Sequence, residues 1–225
     1  MNRICIIPAR GGSKRIPGKN HKTFCGVPII LRVVETAISS SLFDKIIVST
    51  DSEIIKNCID QIQGVIIHSR SEVNSCDYSD IESVCLEVIN TYNFKSVIIC
   101  CFFATAVLIN KTILQQAYKL FERNNYCPIA SVKQADFKSE RLLIKKGSKI
   151  FWKDNSYSKT RTQDCEDVFY DAGQFYLSSS DDLLKYHDFI NEKTIPFELD
   201  KHQSVDIDNE KDWLFAEKIY RLSEE

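Results

Sequence analysis

The sequence lacks a long apolar run, an excess of either charge, and any cysteine or histidine spacing that is typical of a metal site. Its 225 residues carry 29 lysines and arginines against 31 aspartates and glutamates, a net charge of −2. This near-balance excludes the extended basic surface with which proteins hold nucleic acid, so any attraction for phosphate must be local. No apolar stretch approaches the roughly 20 residues that cross a bilayer, so we expect no membrane partner.

The nine cysteines include no Cys-x-x-Cys pair. Cys5, Cys100 and Cys101 lie within apolar runs and are expected to be buried, reduced thiols, which indicates a reducing compartment. The first residues have strand character and no small-residue cleavage site, so we expect no secretion signal and a cytoplasmic location. The four histidines are interpreted as structural or surface residues.

Apolar runs of strand length alternate with segments of helical period along most of the chain. The pattern predicts strands at 3–8, 45–50, 65–69, 96–102 and 127–133, and helices at 28–41, 52–61, 80–92, 110–124 and 209–222. Continuous apolar runs are typical of strands that are buried on both faces. We therefore expect residues 1–225 to form one domain, a three-layer α/β/α fold with a mainly parallel sheet. Ligands of such folds bind beyond the carboxyl ends of the strands.

Residues 134–170 interrupt this alternation. Two short apolar segments, 142–144 and 150–152, flank a basic turn, which predicts a hairpin with a solvated tip. Phe151 and Trp152 would be exposed on such a hairpin, and a partner subunit is the simplest cover for them. We therefore expect 134–170 to be a small insertion that makes a homodimer contact.

The most informative segment is the loop that follows the first predicted strand. Pro8 ends that strand, and four cations then occur within residues 10–19, beside two adjacent glycines. Glycine lets backbone N–H groups approach a ligand, and clustered cations neutralise it. The loop therefore predicts a polyphosphate site in preference to a solvated basic turn. Its spacing matches neither the P-loop nor the dinucleotide-binding glycine pattern.

A pair of acidic residues, Asp206 and Asp208, lies near the C-terminal end of the chain. In an extended segment alternate side chains share a face, so both carboxylates would point the same way, while Val205 and Ile207 point into the core. Mg²⁺ commonly combines one or two carboxylates with substrate phosphates, so the pair predicts a magnesium site. The alternative is that Asp208 or Asn209 caps the last helix, which would leave Asp206 without a role.

Two other segments give weaker signals. Aromatic and polar residues alternate around Gly173, which suggests a strand close to a ligand, but an ordinary glycine-containing strand is the better explanation of that pattern. Asp51 follows the predicted strand at 45–50 and is interpreted as a helix cap that has no catalytic role.

The first loop resembles the Pro-Ala-Arg-x-Gly-Ser-Lys-x-x-x-x-Lys-Asn signature of the CMP-sugar synthetases, which activate acidic sugars with CTP. The resemblance implies a Rossmann-like nucleotidyltransferase fold, a loop that wraps the triphosphate, and an Asp-x-Asp that holds catalytic Mg²⁺, here Asp206 and Asp208. KDO cytidylyltransferases typically continue Lys-Pro-Leu where this chain has Lys19, Asn20 and His21. The residues implied to bind CTP are Ala9, Arg10, Gly12, Ser13, Lys14, Lys19, Asn20, Arg70, Asp77 and Thr105.

A second element of that set departs from the family pattern. Arg70 and Asp77 keep the spacing of an Arg-Pro-x-x-Leu-x-x-Asp element, but Ser71 and Asn74 replace its proline and leucine. This loop is therefore expected to be reshaped. Residues 103–107, Phe-Ala-Thr-Ala-Val, are similar to the Tyr-Ala-Thr-Ala-Pro of pseudaminic-type enzymes.

A third element concerns the sugar. Arg-x-Gln-Asp at 161–164 and Asp-Ala-Gly-Gln-Phe-Tyr at 171–176 resemble pseudaminic acid cytidylyltransferases, whereas sialic-type enzymes tend to have Asn-Gly at 172–173. The residues that the resemblance places towards the sugar are Phe103, Arg161, Gln163, Asp171, Ala172, Gly173 and Gln174.

The expected reaction is transfer of CMP from CTP to the anomeric hydroxyl of an acidic nonulosonate, pseudaminic acid foremost, with release of pyrophosphate; the product would serve surface glycans or flagellin glycosylation. The residues expected to carry catalysis are Arg10, Lys14, Lys19, Asp206 and Asp208. No side chain is distinguished as a dedicated base. The alternatives are synthesis of CMP-N-acetylneuraminate or CMP-legionaminate, and a nucleotide-binding homologue without catalysis.

Overall fold

A computed structural model describes residues 1–224 of the chain. Its strands are Arg3–Pro8 (β1), Thr23–Phe24 (β2), Val27–Pro28 (β3), Lys45–Thr50 (β4), Val65–Ser69 (β5), Ile98–Phe102 (β6), Ile129–Gln134 (β7), Leu143–Lys146 (β8), Lys149–Trp152 (β9), Phe169–Ser179 (β10) and Ile195–Glu198 (β11). Its α-helices are Ile29–Ser39 (α1), Glu53–Ile59 (α2), Glu72–Ser75 (α3), Ile81–Thr91 (α4), Lys111–Arg123 (α5), Ser180–Tyr186 (α6) and Glu210–Glu224 (α7).

Seven of these strands form one sheet in the order β11-β7-β10-β6-β1-β4-β5. β1 pairs in parallel with both β4 and β6, β4 with β5, and β7 with β11, whereas β10 runs antiparallel between β6 and β7. The predicted α/β fold with a mainly parallel sheet is confirmed. The five predicted strands and five predicted helices are present within about two residues of their expected ends.

The apolar core lies on both faces of the sheet. Side chains alternate between the faces, so Cys5 and Cys100, paired across β1 and β6, join one cluster, while Ile4 and Cys101 join the other. The predicted burial of these cysteines is confirmed, and all nine cysteines are free. Burial raises the pKa of the Cys5 thiol, which therefore packs as a neutral, apolar group.

Residues 135–171 form a different kind of structure, which we call the arm. It contains the predicted hairpin, β8 paired antiparallel with β9, and Gly147 takes a φ of +62° at its turn. No side chain between 135 and 171 is buried, and Ile150 is 66% exposed. The arm therefore adds nothing to the core of its own chain.

Within residues 1–224, no helix combines the length and the apolar character that crossing a membrane requires.

Candidate active site

The cleft lies at the carboxyl edge of the sheet, where the loops after β1, β5 and β6 meet. A cavity of about 240 Å³ adjoins a second one of about 380 Å³, and the two share Arg10, Lys19, Asn20 and Asp77. Arg70, Asn74, Phe103 and Thr105 line the first cavity, and Ser13, Lys14 and Arg15 line the second. Most of the residues predicted to bind CTP are thus brought together by the fold.

The first loop is held against the next strand end by a hydrogen bond. The backbone N–H of Gly11 donates to Oδ1 of Asp51 at 2.7 Å. A Cβ on Gly11 would lie 2.9 Å from Cβ of Ser52, so only glycine permits this approach. The interpretation of Asp51 as a helix cap was wrong. Ser52 caps α2 by accepting from the N–H of Ile55, whereas Asp51 holds the first loop through the N–H of Gly11.

Asp77 brings together two cations of the first loop, Arg10 and Lys14, in the cleft. The Arg10 guanidinium donates to Oδ1 of Asp77 at 3.0 Å and to the Cys76 carbonyl at 3.2 Å. Lys14 forms an ion pair with the other oxygen of Asp77. The hydrogen bond from Lys14 holds the pKa of the Asp77 carboxyl below its ordinary value, so that carboxyl is ionised at neutral pH. Asp77 therefore orients two cations along the cleft.

Lys19 connects the first loop to the acidic segment. Its Nζ donates at 2.7 Å to the carbonyl of Ile207, which is the residue between Asp206 and Asp208. Burial lowers the pKa of Lys19, and the charge of Asp208 is the main effect that opposes the decrease. A phosphate group brought to this ammonium would meet a poorly solvated cation, where attraction is strong.

The two carboxylates present unsatisfied oxygens. Asp208 pairs with Arg15 through Oδ2, whereas its Oδ1 is buried and has no hydrogen-bond partner in residues 1–224. Asp206 is solvent-exposed, and its side chain makes no hydrogen bond or ion pair in the described chain. Partial desolvation, followed by the charge of Asp208, raises the pKa of Asp206. An unpartnered buried oxygen beside a second carboxylate suits a divalent cation.

The residue that caps α7 is Asn209, with Asp212 as its partner. Oδ1 of Asn209 accepts from the N–H groups of Lys211 and Asp212 at the start of α7, and Asp212 in return accepts from Asn209 and Asp208 at 3.0 Å. This is a reciprocal capping arrangement, and it uses neither the Asp206 nor the Asp208 carboxylate. Among the described residues no group of three or more His, Cys, Asp or Glu could hold a metal, so substrate oxygens would have to complete the coordination of any Mg²⁺.

Arg70 is a buried cation in the floor of the cleft. It donates to the Ser49 carbonyl at 2.7 Å and to the Ser49 hydroxyl at 3.3 Å. Burial lowers the pKa of Arg70, and the charge of Asp51 is the main opposing effect. Its position is thus set by the backbone of β4, with its remaining N–H groups available to the cavity.

The segment predicted to face the sugar forms a bulge in β10. Gly173 has a φ of +57°, and the pairing of β10 with β7 shifts between Asp171 and Tyr176. Both oxygens of Asp171 are used within the bulge, by the Gly173 N–H at 2.9 Å and by the Tyr176 hydroxyl. Ala172 is 5% exposed, and the amide of Gln174 donates to the carbonyl of Ala172 at 2.8 Å. These residues shape the strand that supports the cleft.

Phe103 joins that strand to the cleft itself. Its backbone N–H donates to the carbonyl of Gln174 at 3.0 Å, and its ring meets Tyr176 edge-on, with centroids 5.8 Å apart. Arg161 and Gln163 lie elsewhere, on the arm. The Arg161 guanidinium bonds Asp164 at 2.8 Å, and neither residue lines a described cavity of its own chain.

The sequence did not reveal Asn74, Cys76 and Ser79 as cleft residues, although all three line the first cavity. A polar run directly after the predicted strand at 65–69 was the available signal, since loops at carboxyl strand ends bind ligands.

A family model described as cytidylyltransferase matches residues 4–223. The chain is 32% identical to the pseudaminic acid cytidylyltransferase of Campylobacter jejuni, over all of this chain and 99% of that protein. It is 28% identical to the CMP-N,N'-diacetyllegionaminic acid synthase of Legionella pneumophila, with the same coverage. The fold is similar to that of CMP:2-keto-3-deoxy-manno-octonic acid synthetase complexed with CTP, with a TM-score of 0.69 over 99% of this chain and 98% of that one, at 15% identity.

Proposed function

The chain belongs to the cytidylyltransferase family, and from that premise we propose that it transfers CMP from CTP to the anomeric hydroxyl of an acidic nine-carbon sugar, with pseudaminic acid preferred. Pyrophosphate is the second product. One observation carries the proposal above the others: a glycine-bearing loop of four cations faces a carboxylate pair that retains an unpartnered buried oxygen. This arrangement fits a triphosphate and a divalent cation at the same place.

The chain's own groups would act mainly by positioning and by charge. Arg10, Lys14 and Lys19 would hold the phosphates and stabilise the leaving pyrophosphate, since phosphoryl-type transfers depend chiefly on placement and neutralisation. Arg70 would add a fixed cation from the cavity floor. Asp77 would hold Arg10 and Lys14 at the cleft, and the remaining N–H groups of both cations would meet the phosphates.

Asp206 and Asp208 would hold Mg²⁺, because their free oxygens provide the hard anionic ligands that this ion prefers. When bound, Mg²⁺ would neutralise phosphate charge and lower the pKa of the attacking sugar hydroxyl. The role of Arg15 follows from its contact: it neutralises Asp208 and must release Oδ2 for that oxygen to serve as a ligand.

The sugar specificity can be tested directly. We expect kcat/KM for CTP-dependent pyrophosphate release to be at least about tenfold higher with pseudaminic acid than with N-acetylneuraminic acid. The expectation rests on the likeness of residues 161–176 to pseudaminic-type enzymes and on the relative that is 32% identical. Ala172 itself packs in the apolar core and lines neither cavity of the cleft, so its effect on the sugar would be transmitted through the Gly173 bulge.

The same assay separates the alternatives. Equal or reversed preference between these two sugars would contradict the pseudaminic assignment and leave the cytidylyltransferase assignment intact. A preference for legionaminic acid would favour the reaction named for the Legionella relative. Binding of CTP without pyrophosphate release for any nonulosonate would favour a nucleotide-binding homologue without transfer activity; the intact cations and carboxylates of the cleft argue against that outcome.

We further propose that the protein is a homodimer joined through the arm. Leu143, Ile150, Phe151 and Trp152 line an apolar concavity of about 540 Å³ on a segment that has no buried side chain. A second copy of the chain would cover this surface. It could also bring Arg161 and Gln163 to the cleft of its partner, since neither residue lines the cleft of its own chain.

We also propose that the reaction takes place in the cytoplasm, because CTP would be the substrate and all nine cysteines are free thiols.

Light scattering tests the dimer. The wild-type protein should have the mass of a dimer at micromolar concentration, and Ile150→Ser with Phe151→Ser should shift it to a monomer, because exposed apolar area drives such contacts. Lys146→Ser, at the exposed tip of the same hairpin, serves as the matched control and should leave the dimer intact. A monomeric wild-type protein would show the arm proposal to be wrong.

A further inference from the structure

One carboxylate outside the cavity, that of Glu87 on α4, collects several hydrogen bonds from a single loop. Its Oε1 accepts from the Ser71 N–H at 2.8 Å, and its Oε2 accepts from the Ser71 hydroxyl at 2.9 Å. Oε2 also accepts from the Asn74 side-chain amide. Three donors within four residues thus converge on one side chain, which is 17% exposed.

That loop, residues 71–79, is one wall of the first cavity. Asn74 lines the cavity and accepts from the Ser79 hydroxyl at 3.1 Å, so it ties the two ends of the wall together. Between them lie Cys76 and Asp77, whose carbonyl and carboxylate hold the Arg10 guanidinium. A chain of contacts therefore runs from Glu87 through Asn74 to the cations of the cleft.

Arg70, directly before this wall, is held by the backbone of β4, so the wall itself depends on what fixes residues 71–79. α3 is a single turn with no buried residue, and Val73 is 79% exposed, so apolar packing does not hold it. Ser71 and Asn74 are also the two positions at which this loop carries polar residues in place of proline and leucine, and both donate to Glu87. Proline has no N–H and the leucine side chain has no donor, so these residues could not make the same hydrogen bonds to Glu87.

Glu87 is ionised in this setting. Burial alone would raise its pKa, but the hydrogen bonds from Asn74 and Ser71 outweigh that effect and lower it. On the other side, His68 lies with Nε2 3.7 Å from Oε1 of Glu87, and burial lowers the pKa of His68, so the ring is neutral near pH 7. The Ser49 hydroxyl lies between Arg70 and His68: it accepts from Nε of Arg70 and shares a hydrogen bond with Nδ1 of His68. Hydrogen bonds to an ionised acceptor are stronger than those between neutral groups.

We propose that Glu87 is the positioning residue of the nucleotide cleft: it fixes the wall 71–79 so that Asp77 and the Cys76 carbonyl orient Arg10 for the CTP phosphates. It touches no reacting atom and acts through the wall. The proposal rests on CTP being the substrate, as proposed above.

The test compares Glu87→Gln with the wild-type enzyme. Glutamine keeps the length of the side chain but presents an NH₂ group to at least one of the three donors, which then loses its acceptor. We expect KM for CTP to rise about tenfold while kcat changes less than about threefold, the pattern of lost binding shared by ground and transition states. Glu82→Gln, on the same helix and lining neither cavity of the cleft, is the matched control and should leave both constants unchanged.

A second readout needs no catalysis. Cys76 is the exposed cysteine of the wall, so its alkylation, followed by mass spectrometry of the peptide that contains it, reports the order of the loop. Without CTP, Glu87→Gln should be alkylated at Cys76 several-fold faster than the wild type, and Glu82→Gln at the wild-type rate. Ser71→Ala, which removes one donor and leaves α4 untouched, should show a smaller increase and serves if Glu87→Gln does not fold.

The outcomes separate the two proposals. An active wild-type enzyme, with KM and Cys76 alkylation unchanged in Glu87→Gln or Ser71→Ala, would overturn the role of Glu87. Equal losses of kcat and thermal stability, with KM for CTP unchanged, would also overturn it. A wild-type protein that neither binds CTP nor releases pyrophosphate would contradict the proposed function, while the alkylation rates would still decide whether Glu87 orders the wall.

Discussion

Replacing Asp208 by asparagine should lower the rate of CTP-dependent pyrophosphate release by roughly 10²–10³, the cost of losing a charge-stabilising group in an active site. The buried Oδ1 of Asp208 has no hydrogen-bond partner in residues 1–224, and an amide in its place would offer Mg²⁺ a neutral ligand or an N–H group. Asp206→Asn should act in the same direction. Chelation of divalent metal by EDTA should abolish wild-type turnover.

The control for that result is Glu210→Gln. Glu210 is an exposed carboxylate two residues away that pairs with Lys22 at 2.6 Å, outside both cavities, so its loss should leave the rate near that of the wild type. Binding of Mn²⁺ in the presence of CTP, followed by electron paramagnetic resonance, gives a readout that is independent of turnover. Near wild-type rates for both aspartate variants at limiting Mg²⁺ would show that the metal assignment is wrong.

The parts of the fold that the sequence predicted are those in which local pattern and burial agree. The run at 97–102 is apolar throughout because β6 is buried on both faces, and a run of this length and composition is typical of a buried strand. β10 was predicted only as a possible strand around Gly173. Its first three residues are exposed and its later ones buried, so no single periodicity describes it, and its antiparallel place between β6 and β7 depends on distant partners.

The candidate site, like the fold, could be predicted from the sequence only in part. Its residues could be identified from short motifs, but their pairings could not, since Arg10 meets Asp77 across 67 positions and Arg15 meets Asp208 across 193. Asp51 shows the limit most clearly. All four residues at 49–52 are of types that can cap a helix, and local pattern could not decide that Ser52 does so while Asp51 binds the N–H of Gly11.

Lys19→Met should reduce kcat/KM for CTP by about 100-fold, because the substitution removes a poorly solvated cation from the phosphate side of the cleft while it retains the apolar stem. The ammonium of Lys19 also bridges the first loop to the Ile207 carbonyl at 2.7 Å, so the segment 206–208 would lose one of its contacts with that loop. Lys22→Met is the matched control. Lys22 lies three residues on, pairs with Glu210 and covers the Trp213 ring at 4.8 Å, outside both cavities.

The pH dependence gives this prediction a second and sharper check. Burial lowers the pKa of Lys19, so the free enzyme should lose the required ammonium as pH rises, at a lower pH than for an ordinary lysine. The profile of kcat/KM, which reports the free enzyme, should therefore fall on its alkaline side, and this fall should move to higher pH in Lys19→Arg because a guanidinium stays protonated. An alkaline limb that is identical in Lys19→Arg and wild type would assign that titration to another group. A Lys19→Met enzyme as active as Lys22→Met would remove Lys19 from the catalytic set altogether.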